Sequence, residues 1–268
     1  MTSVSFAAVS IAYDAGVVVR ELDLDVADGE WVGLIGPNGA GKTTVLRAVA
    51  GLVRYTGRIQ IGLNSVTDFA ARDLARRIAF VPQSPQMPAG MSVAQYVLLG
   101  RSPHLSYFAR EGVRDRRVVA DTLERLWLGT LATRPLDRLS GGERQRAAIA
   151  RALAQESRVL LVDEPTSALD IGRQQEVLEL IDSLRTERGL TVIAAMHDLT
   201  LAGQYAGRLA LLVEGQVKAV GPPAEVLTEA SIGRHYGAQV RILRLPGAGH
   251  VVAPVRTSPA LTSKKAAE

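Results

Sequence analysis

The 268-residue sequence predicts an α/β fold: a parallel sheet with helices on both faces, an antiparallel β part at the N-terminus, and a helical lobe inserted between the two halves. Three observations carry that expectation. Short, continuously apolar runs alternate with helical patterns in the second half of the chain, which is how strands buried on both faces read. A glycine-rich turn joins one apolar run to a helix near residue 40. An Arg-rich helical stretch, opened by a loop containing Pro85, Met87 and Pro88, separates the two parts of the α/β pattern.

The elements follow in order. Residues 4–12, 17–26 and 31–35 have strand character. The clusters Asp14-Ala15-Gly16 and Asp28-Gly29-Glu30 separate them, and Gly and Asp accept the backbone angles of turns. From Thr43 the period changes: Val45, Leu46, Val49 and Val53 follow helical spacing, with a stop near Gly51. Residues 158–163 form a continuous apolar strand, 174–188 an amphipathic helix and 190–196 another apolar strand. Residues 209–213 and 216–220, joined at Glu214-Gly215, read as a hairpin. Residues 1–83 and 158–230 are therefore expected to form the α/β core and 84–157 the helical lobe. Residues 231–268 form a C-terminal extension, whose Ser-, Pro-, Lys- and Ala-containing end from about Thr257 is expected to be disordered.

Composition narrows the function. With 47% hydrophobic residues the chain can bury a sizeable core. Its 31 Lys and Arg against 27 Asp and Glu leave a formal charge of +4, spread along the sequence rather than gathered in a block, so no nucleic-acid partner is expected. Cysteine is absent, which excludes disulfides and thiolate-bound metals. The start Met1-Thr2-Ser3-Val4 carries no secretory leader, and no apolar run approaches the ~20 residues that span a bilayer. A soluble chain is expected, with any membrane role exercised through a partner.

The chemistry begins at Gly36-Pro37-Asn38-Gly39-Ala40-Gly41-Lys42-Thr43, followed by Thr44. The spacing is that of G-x-x-x-x-G-K-[ST], placed between an apolar strand and a helix as a P-loop requires. Glycines let backbone N–H groups close around phosphates, and the helix N-terminus adds partial positive charge. Lys42 is expected to reach the β- and γ-phosphates of ATP and Thr43 to ligate Mg²⁺. The ion also needs a carboxylate, and the apolar strand ending in Asp163 delivers one to the edge where open α/β sheets bind ligands. Glu164, facing the other way, is positioned to polarise an attacking water. The core is thus expected to be a P-loop NTPase of RecA-like type.

Leu139-Ser140-Gly141-Gly142-Glu143 is a second helix start. Ser140 and Glu143 have capping-box spacing. Two glycines in the first turn cost about 1 kcal/mol each against alanine, so capping alone does not account for them; exposed N–H groups there suit a second anion. The segment resembles the signature motif of ATP-binding cassette (ABC) ATPases. Val81-Pro82-Gln83 resembles that family's Q-loop, Ser167-Ala168-Leu169-Asp170 its D-loop, His197 its switch histidine and Tyr13 its adenine-stacking aromatic. The likeness spans residues 3–230. It implies a head-to-tail dimer in which each ATP lies between one P-loop and Ser140, Gly141 and Gly142 of the second copy. Glu164 would be the general base, His197 a γ-phosphate contact, Gln83 a sensor of metal and nucleotide, and Asp170 a residue beside the nucleotide.

The load is read from resemblance alone. Gly100-Arg101-Ser102-Pro103-His104, Ala154-Gln155 and residues 166–171 and 188–193 are similar to the ATPases of iron-chelate and cobalamin importers, above all those for ferric siderophores. Heme or cobalamin import, or a soluble cluster-assembly ATPase, are the alternatives. Integral-membrane permease subunits, and indirectly a substrate-binding protein, are the implied partners, at the cytoplasmic face of the cell membrane. Gly207 and the shortened Arg54-Tyr55-Thr56-Gly57 stretch depart from the family pattern without touching the phosphate motifs.

Overall fold

The computed structural model describes residues 3–106, 110–166, 168–246 and 249–256. The tail expected to be disordered and Ser167 of the D-loop segment lie outside the described residues.

The chain opens with β1 (Val4–Tyr13), β2 (Gly16–Val26) and β3 (Trp31–Ile35), followed by α1 (Lys42–Val49). Next come β4 (Thr56–Ile61), β5 (Asn64–Ser65), α2 (Ala71–Ala75) and β6 (Ile78–Val81). The middle is helical, with α3 (Val93–Leu98), α4 (Val113–Arg125) and α5 (Gly141–Ala154). The α/β pattern resumes with β7 (Val159–Asp163), α6 (Ile171–Arg188), β8 (Thr191–Ala195), α7 (Leu199–Tyr205), β9 (Arg208–Val213) and β10 (Gln216–Gly221). The chain then continues through α8 (Pro223–Val226), α9 (Glu229–Tyr236), β11 (Val240–Leu245) and β12 (Gly249–Pro254).

The larger sheet has the order β10-β9-β3-β8-β7-β6. Its five inner and far-edge strands run parallel, and β10 closes the other edge as the antiparallel arm of the β9–β10 hairpin. Side chains alternate across it. Leu160, Val162, Val192, Ala194, Leu209 and Leu211 enter one hydrophobic cluster, while Val159, Leu161, Ile193, Ala195, Ala210 and Leu212 enter the other. Two-sided burial is why these strands read as continuous apolar runs instead of alternating ones.

One face carries α1 and the antiparallel sheet β2-β1-β4-β5, sharing a core of Val9, Leu22, Val45, Leu46 and Ile59. The opposite face carries the helices. Tyr96, Val97, Leu123 and Ile149 of the central helical stretch share one cluster with the sheet residues Leu160 and Val192. Each fully buried aliphatic side chain of this kind contributes on the order of 2 kcal/mol relative to exposure.

The C-terminal extension beyond residue 230 contains the β11–β12 hairpin. This hairpin packs on α7: the Val252 N–H donates to Thr200 Oγ1 at 3.0 Å, and a Cβ on Gly203 would meet His250. No helix among the described residues is long and apolar enough to cross a membrane.

Candidate functional site: four strand ends around a phosphate loop

Adjacent parallel strands deliver the predicted residues to one edge. The C-terminal end of β3 runs into Gly36, β8 leads to His197, β7 ends at Asp163 and Glu164, and β6 leads to Gln83. This is the edge at which parallel α/β sheets receive ligands, because loops leave there and helix N-termini point back. A cleft of about 340 Å³ opens over it, lined by Asn38, Gly39, Lys42, Thr43, Gln83, Glu164 and His197, among others.

The loop is built from the backbone outward. Gly36 has φ +149°, and a Cβ there would be driven into the Leu212 carbonyl, so the turn out of β3 admits only glycine. Lys42 is buried, and its Nζ donates to the carbonyls of Gly36 (2.7 Å) and Pro37 (3.1 Å), folding the side chain back across the loop. Burial lowers its pKa, against the opposing pull of Glu164 and Asp163. An anion in the cleft would therefore meet a cation whose hydrogen bonds are already directed along the loop.

Thr43 Oγ1 donates to Asp163 Oδ1 at 3.0 Å, joining the first turn of α1 to the end of β7. Asp163 is 1% exposed, and burial pushes its carboxyl above the usual range, with the Thr43 hydrogen bond and Lys42 holding it back. A hydroxyl and a carboxylate oxygen, with the Gln83 amide nearby, are hard oxygen donors of the kind Mg²⁺ takes.

Glu164 follows in a left-handed conformation, φ +51°, which for a non-glycine residue costs on the order of 1 kcal/mol. Its N–H donates to the Ala195 carbonyl at 3.0 Å. The turn swings the Glu164 side chain away from that of Asp163 and into the cleft. There its Oε2 accepts from Gln83 Nε2 at 2.5 Å, and its Oε1 lies 2.5 Å from His197 Nε2. Asp198 Oδ1 accepts from the N–H groups of Thr200 and Leu201, capping α7 directly behind the histidine.

Other predicted residues lie apart. Ser140 caps α5 as expected: its Oγ accepts from the Glu143 N–H at 3.2 Å, and Glu143 Oε2 accepts from the Ser140 N–H at 2.7 Å. That backbone N–H is the main reason the Glu143 carboxyl sits below its ordinary range. Yet Ser140, Gly141 and Gly142 do not line the cleft of their own chain, and a Cβ on Gly141 would meet nothing within 4 Å. Asp170 caps α6, accepting from the Arg173 N–H at 3.0 Å, so this helix begins at Ile171, earlier than its apolar pattern indicated. Tyr13 ends β1, 43% exposed, opposite Gly16 and outside the cleft lining, which instead includes Val18. No sequence signal pointed to Val18.

The Gly100–His104 segment lies away from the cleft and acts as a clamp. Arg101 is 2% exposed; it donates to Asp115 Oδ1 (2.9 Å), to Glu156 Oε2 (2.8 Å) and to the Ala154 carbonyl (2.7 Å). Arg72 of α2 and Arg76 at its C-terminal cap both donate to the Pro103 carbonyl. His104 Nε2 lies 2.8 Å from the Gln155 carbonyl, while the Gln155 amide reaches the Ala75 and Ile78 carbonyls. Any Cβ on Gly100 would strike the Arg151 carbonyl, so glycine permits the segment to lie against the last turns of α5. The motif therefore fixes the C-terminal end of α5 to α2, α4 and the start of β6.

A phosphate loop, an acidic strand end and a histidine converging on the carboxyl edge of a parallel sheet define a P-loop nucleotide-hydrolysing protein. The pattern of the ABC transporter family matches residues 19–167, more than half of the chain, and the protein belongs to that family. It is 38% identical over 229 residues to the iron(3+)-hydroxamate import ATP-binding protein of Bacillus subtilis, covering 85% of each chain. It is likewise 38% identical to the ferric enterobactin transport ATP-binding protein of Escherichia coli, covering 93% of each. Among solved structures, an ABC transporter in an inward-facing conformation superposes with a TM-score of 0.81 at 30% identity, over 97% of this chain and 100% of that one. A dimeric ATP-binding cassette bound to ADP and Pi superposes with a TM-score of 0.75 at 28% identity, over 82% and 98% respectively.

Proposed function

We propose that the chain is the ATP-hydrolysing subunit of an importer, working as a head-to-tail pair on separate membrane permease subunits, with a ferric siderophore or related iron chelate as cargo. The relatives named above, both ATP-binding proteins of iron-chelate uptake, support the cargo class; a hemin import ATP-binding protein of Rhodococcus jostii, 39% identical over 87% of this chain and 79% of its own, makes heme the second reading. On this reading the protein acts at the cytoplasmic face of the membrane.

The observation that carries the chemistry is the placement of Glu164. A left-handed turn sets its carboxylate between Gln83 and His197, beside Lys42 and Thr43. Lys42 and the loop residues 36–44, through every backbone N–H but the one Pro37 lacks, bind the phosphates, and Tyr13 stacks on the adenine. Mg²⁺ would be held by Thr43, Asp163 and the Gln83 amide oxygen, and when bound supplies charge neutralisation on the β- and γ-phosphates. Glu164 accepts the proton of the attacking water, while His197 orients that carboxylate and contacts the γ-phosphate. Gln83 leads from β6 into the helical region and so reports the nucleotide to residues 84–157. Ser140, Gly141 and Gly142 contact the ATP of the second copy, and Asp170 holds the helix that follows the D-loop. The open space at Gly141 supports that assignment, since its own chain makes no use of the missing side chain.

Glu164→Gln tests the reading. The variant should retain ATP binding, lose turnover by about 10²-fold or more, and accumulate as an ATP-bound dimer in size-exclusion chromatography. Near-normal hydrolysis by the purified variant would remove Glu164 as the base.

A further inference from the structure

The C-terminal end of α4 closes with two backbone hydrogen bonds: the Trp127 N–H to the Glu124 carbonyl at 3.1 Å, and the Leu128 N–H to the Leu123 carbonyl at 2.8 Å. This is the Schellman arrangement, with Trp127 at the position that requires a left-handed residue and is ordinarily glycine. Trp127 does adopt it, with φ +53°. A bulky aromatic there carries strain of about the size that makes glycine preferred.

Core packing does not compensate. Leu123 and Leu128 on either side are buried in the main hydrophobic cluster, whereas Trp127 is 44% exposed and takes no place in it. What the ring meets is Arg173, whose guanidinium lies 5.5 Å from the ring centroid. Arg173 sits in the first turn of α6; its N–H is the one that caps on Asp170, and its side chain pairs with Glu176. Arg146, one turn into α5, is buried beside this group, within electrostatic reach of Arg173, Glu143, Glu176 and Asp170.

We propose that Trp127 is a positioning residue: its ring holds Arg173 and so ties the helical region that carries the signature helix α5 to the start of α6. The segment around Ser140, assigned above to the second copy's nucleotide, and the start of α6 at Asp170 then move as one unit when ATP closes the pair. This rests on the head-to-tail reading above. The cation–π contact acts across two elements distant in sequence, so its loss would loosen their relative placement without opening the core. The strain at Trp127 is retained because glycine, the relaxed choice, has no ring to offer.

The test uses full-length protein in the Glu164→Gln background, with ATP-driven dimerisation read by light scattering and unfolding read by melting temperature. Trp127→Gly should melt at the same temperature or higher, because it relieves the left-handed residue, yet require about tenfold more ATP for half-maximal dimerisation. A single partly exposed cation–π contact shifts an equilibrium by about threefold, and each dimer holds two. Trp127→Phe should stay close to the parent. Arg173→Met should match Trp127→Gly, and the double variant should be no worse than either. Dimerisation of Trp127→Gly equal to the parent, or a phenylalanine variant as impaired as the glycine one, overturns the proposal. A lowered melting temperature with dimerisation restored on cooling would assign Trp127 to fold stability, and overturns it also. If the Glu164→Gln parent itself fails to dimerise with ATP, the fault lies in the head-to-tail reading instead.

Discussion

Replacing Arg101 with methionine should destabilise the protein by about 3 kcal/mol without altering any group in the phosphate cleft. Arg101 is 2% exposed and holds two carboxylates and one main-chain carbonyl. Methionine fills most of the volume, so the cavity contribution is small. What is lost is a cation from a buried ionic cluster, a change that costs ~3–5 kcal/mol when the remaining charges stay buried. Here Glu156 is 29% exposed on its side chain and can rehydrate, which places the expectation at the lower end. For a chain of this length about 1 kcal/mol corresponds to roughly 2 °C, so the melting temperature should fall by ~6 °C.

The same substitution changes the acid limb of the stability curve. The Gly112 N–H and then Arg101 hold the Asp115 carboxyl below its ordinary value of 3.8. A depressed carboxylate pKa contributes stability that is full above that ordinary value and is lost as pH falls through the native one. The variant should therefore show a shallower loss below pH ~4, with the part due to Gly112 retained. Thermal melts at a series of pH values measure both effects. A variant that melts within about 1 °C of the parent and keeps the same acid slope would refute the clamp as an energetic feature.

Three further outcomes are expected. Lys42→Ala should weaken nucleotide binding by about 10-fold or more, the value of a charge-assisted hydrogen bond; a fluorescent-ATP titration reads it, and unchanged affinity would contradict the phosphate-loop assignment. Gly36→Ala should both abolish that binding and lower the melting temperature, since the new Cβ meets the Leu212 carbonyl at a φ of +149°. Burial pushes the Tyr236 hydroxyl up to about 12, from an ordinary 10.0. Its raised native pKa contributes stability present in full below the unfolded value and lost as pH rises through about 12. Burial also raises Tyr55, Tyr96 and Tyr205, so ultraviolet titration of tyrosinate should show several late-ionising groups, and Tyr236→Phe should remove one of them.

Residues close in sequence made much of this protein legible. The phosphate loop is eight consecutive positions whose glycines, lysine and threonine are dictated by one anion, and a capping box needs only four. Strands buried on both faces announced themselves as apolar runs at residues 158–163 and 190–196. The hairpin at Glu214-Gly215 followed from its turn. By contrast, β4 to β6, the short α2 and the β11–β12 hairpin left no comparable pattern, being short, at sheet edges or half-exposed. Sequence resemblance drew attention to Gly100–His104 but gave no hint that Arg101 is a buried staple, because its partners Asp115, Ala154 and Glu156 lie 14, 53 and 55 residues away.

The sequence by itself determined that a phosphate loop stands between strand and helix, that an apolar strand ends in an acidic pair, and that a glycine-lined helix with a capping box starts at Ser140. Only the tertiary structure decided that β3, β8, β7 and β6 lie side by side. That order brings Lys42, His197, Glu164 and Gln83 to one edge, with Glu164 turned into the cleft by its left-handed backbone. Strand order is settled by which apolar faces the helices on one side and α1 with the antiparallel sheet on the other can cover together, a property of the whole packed chain that no local run of residues records.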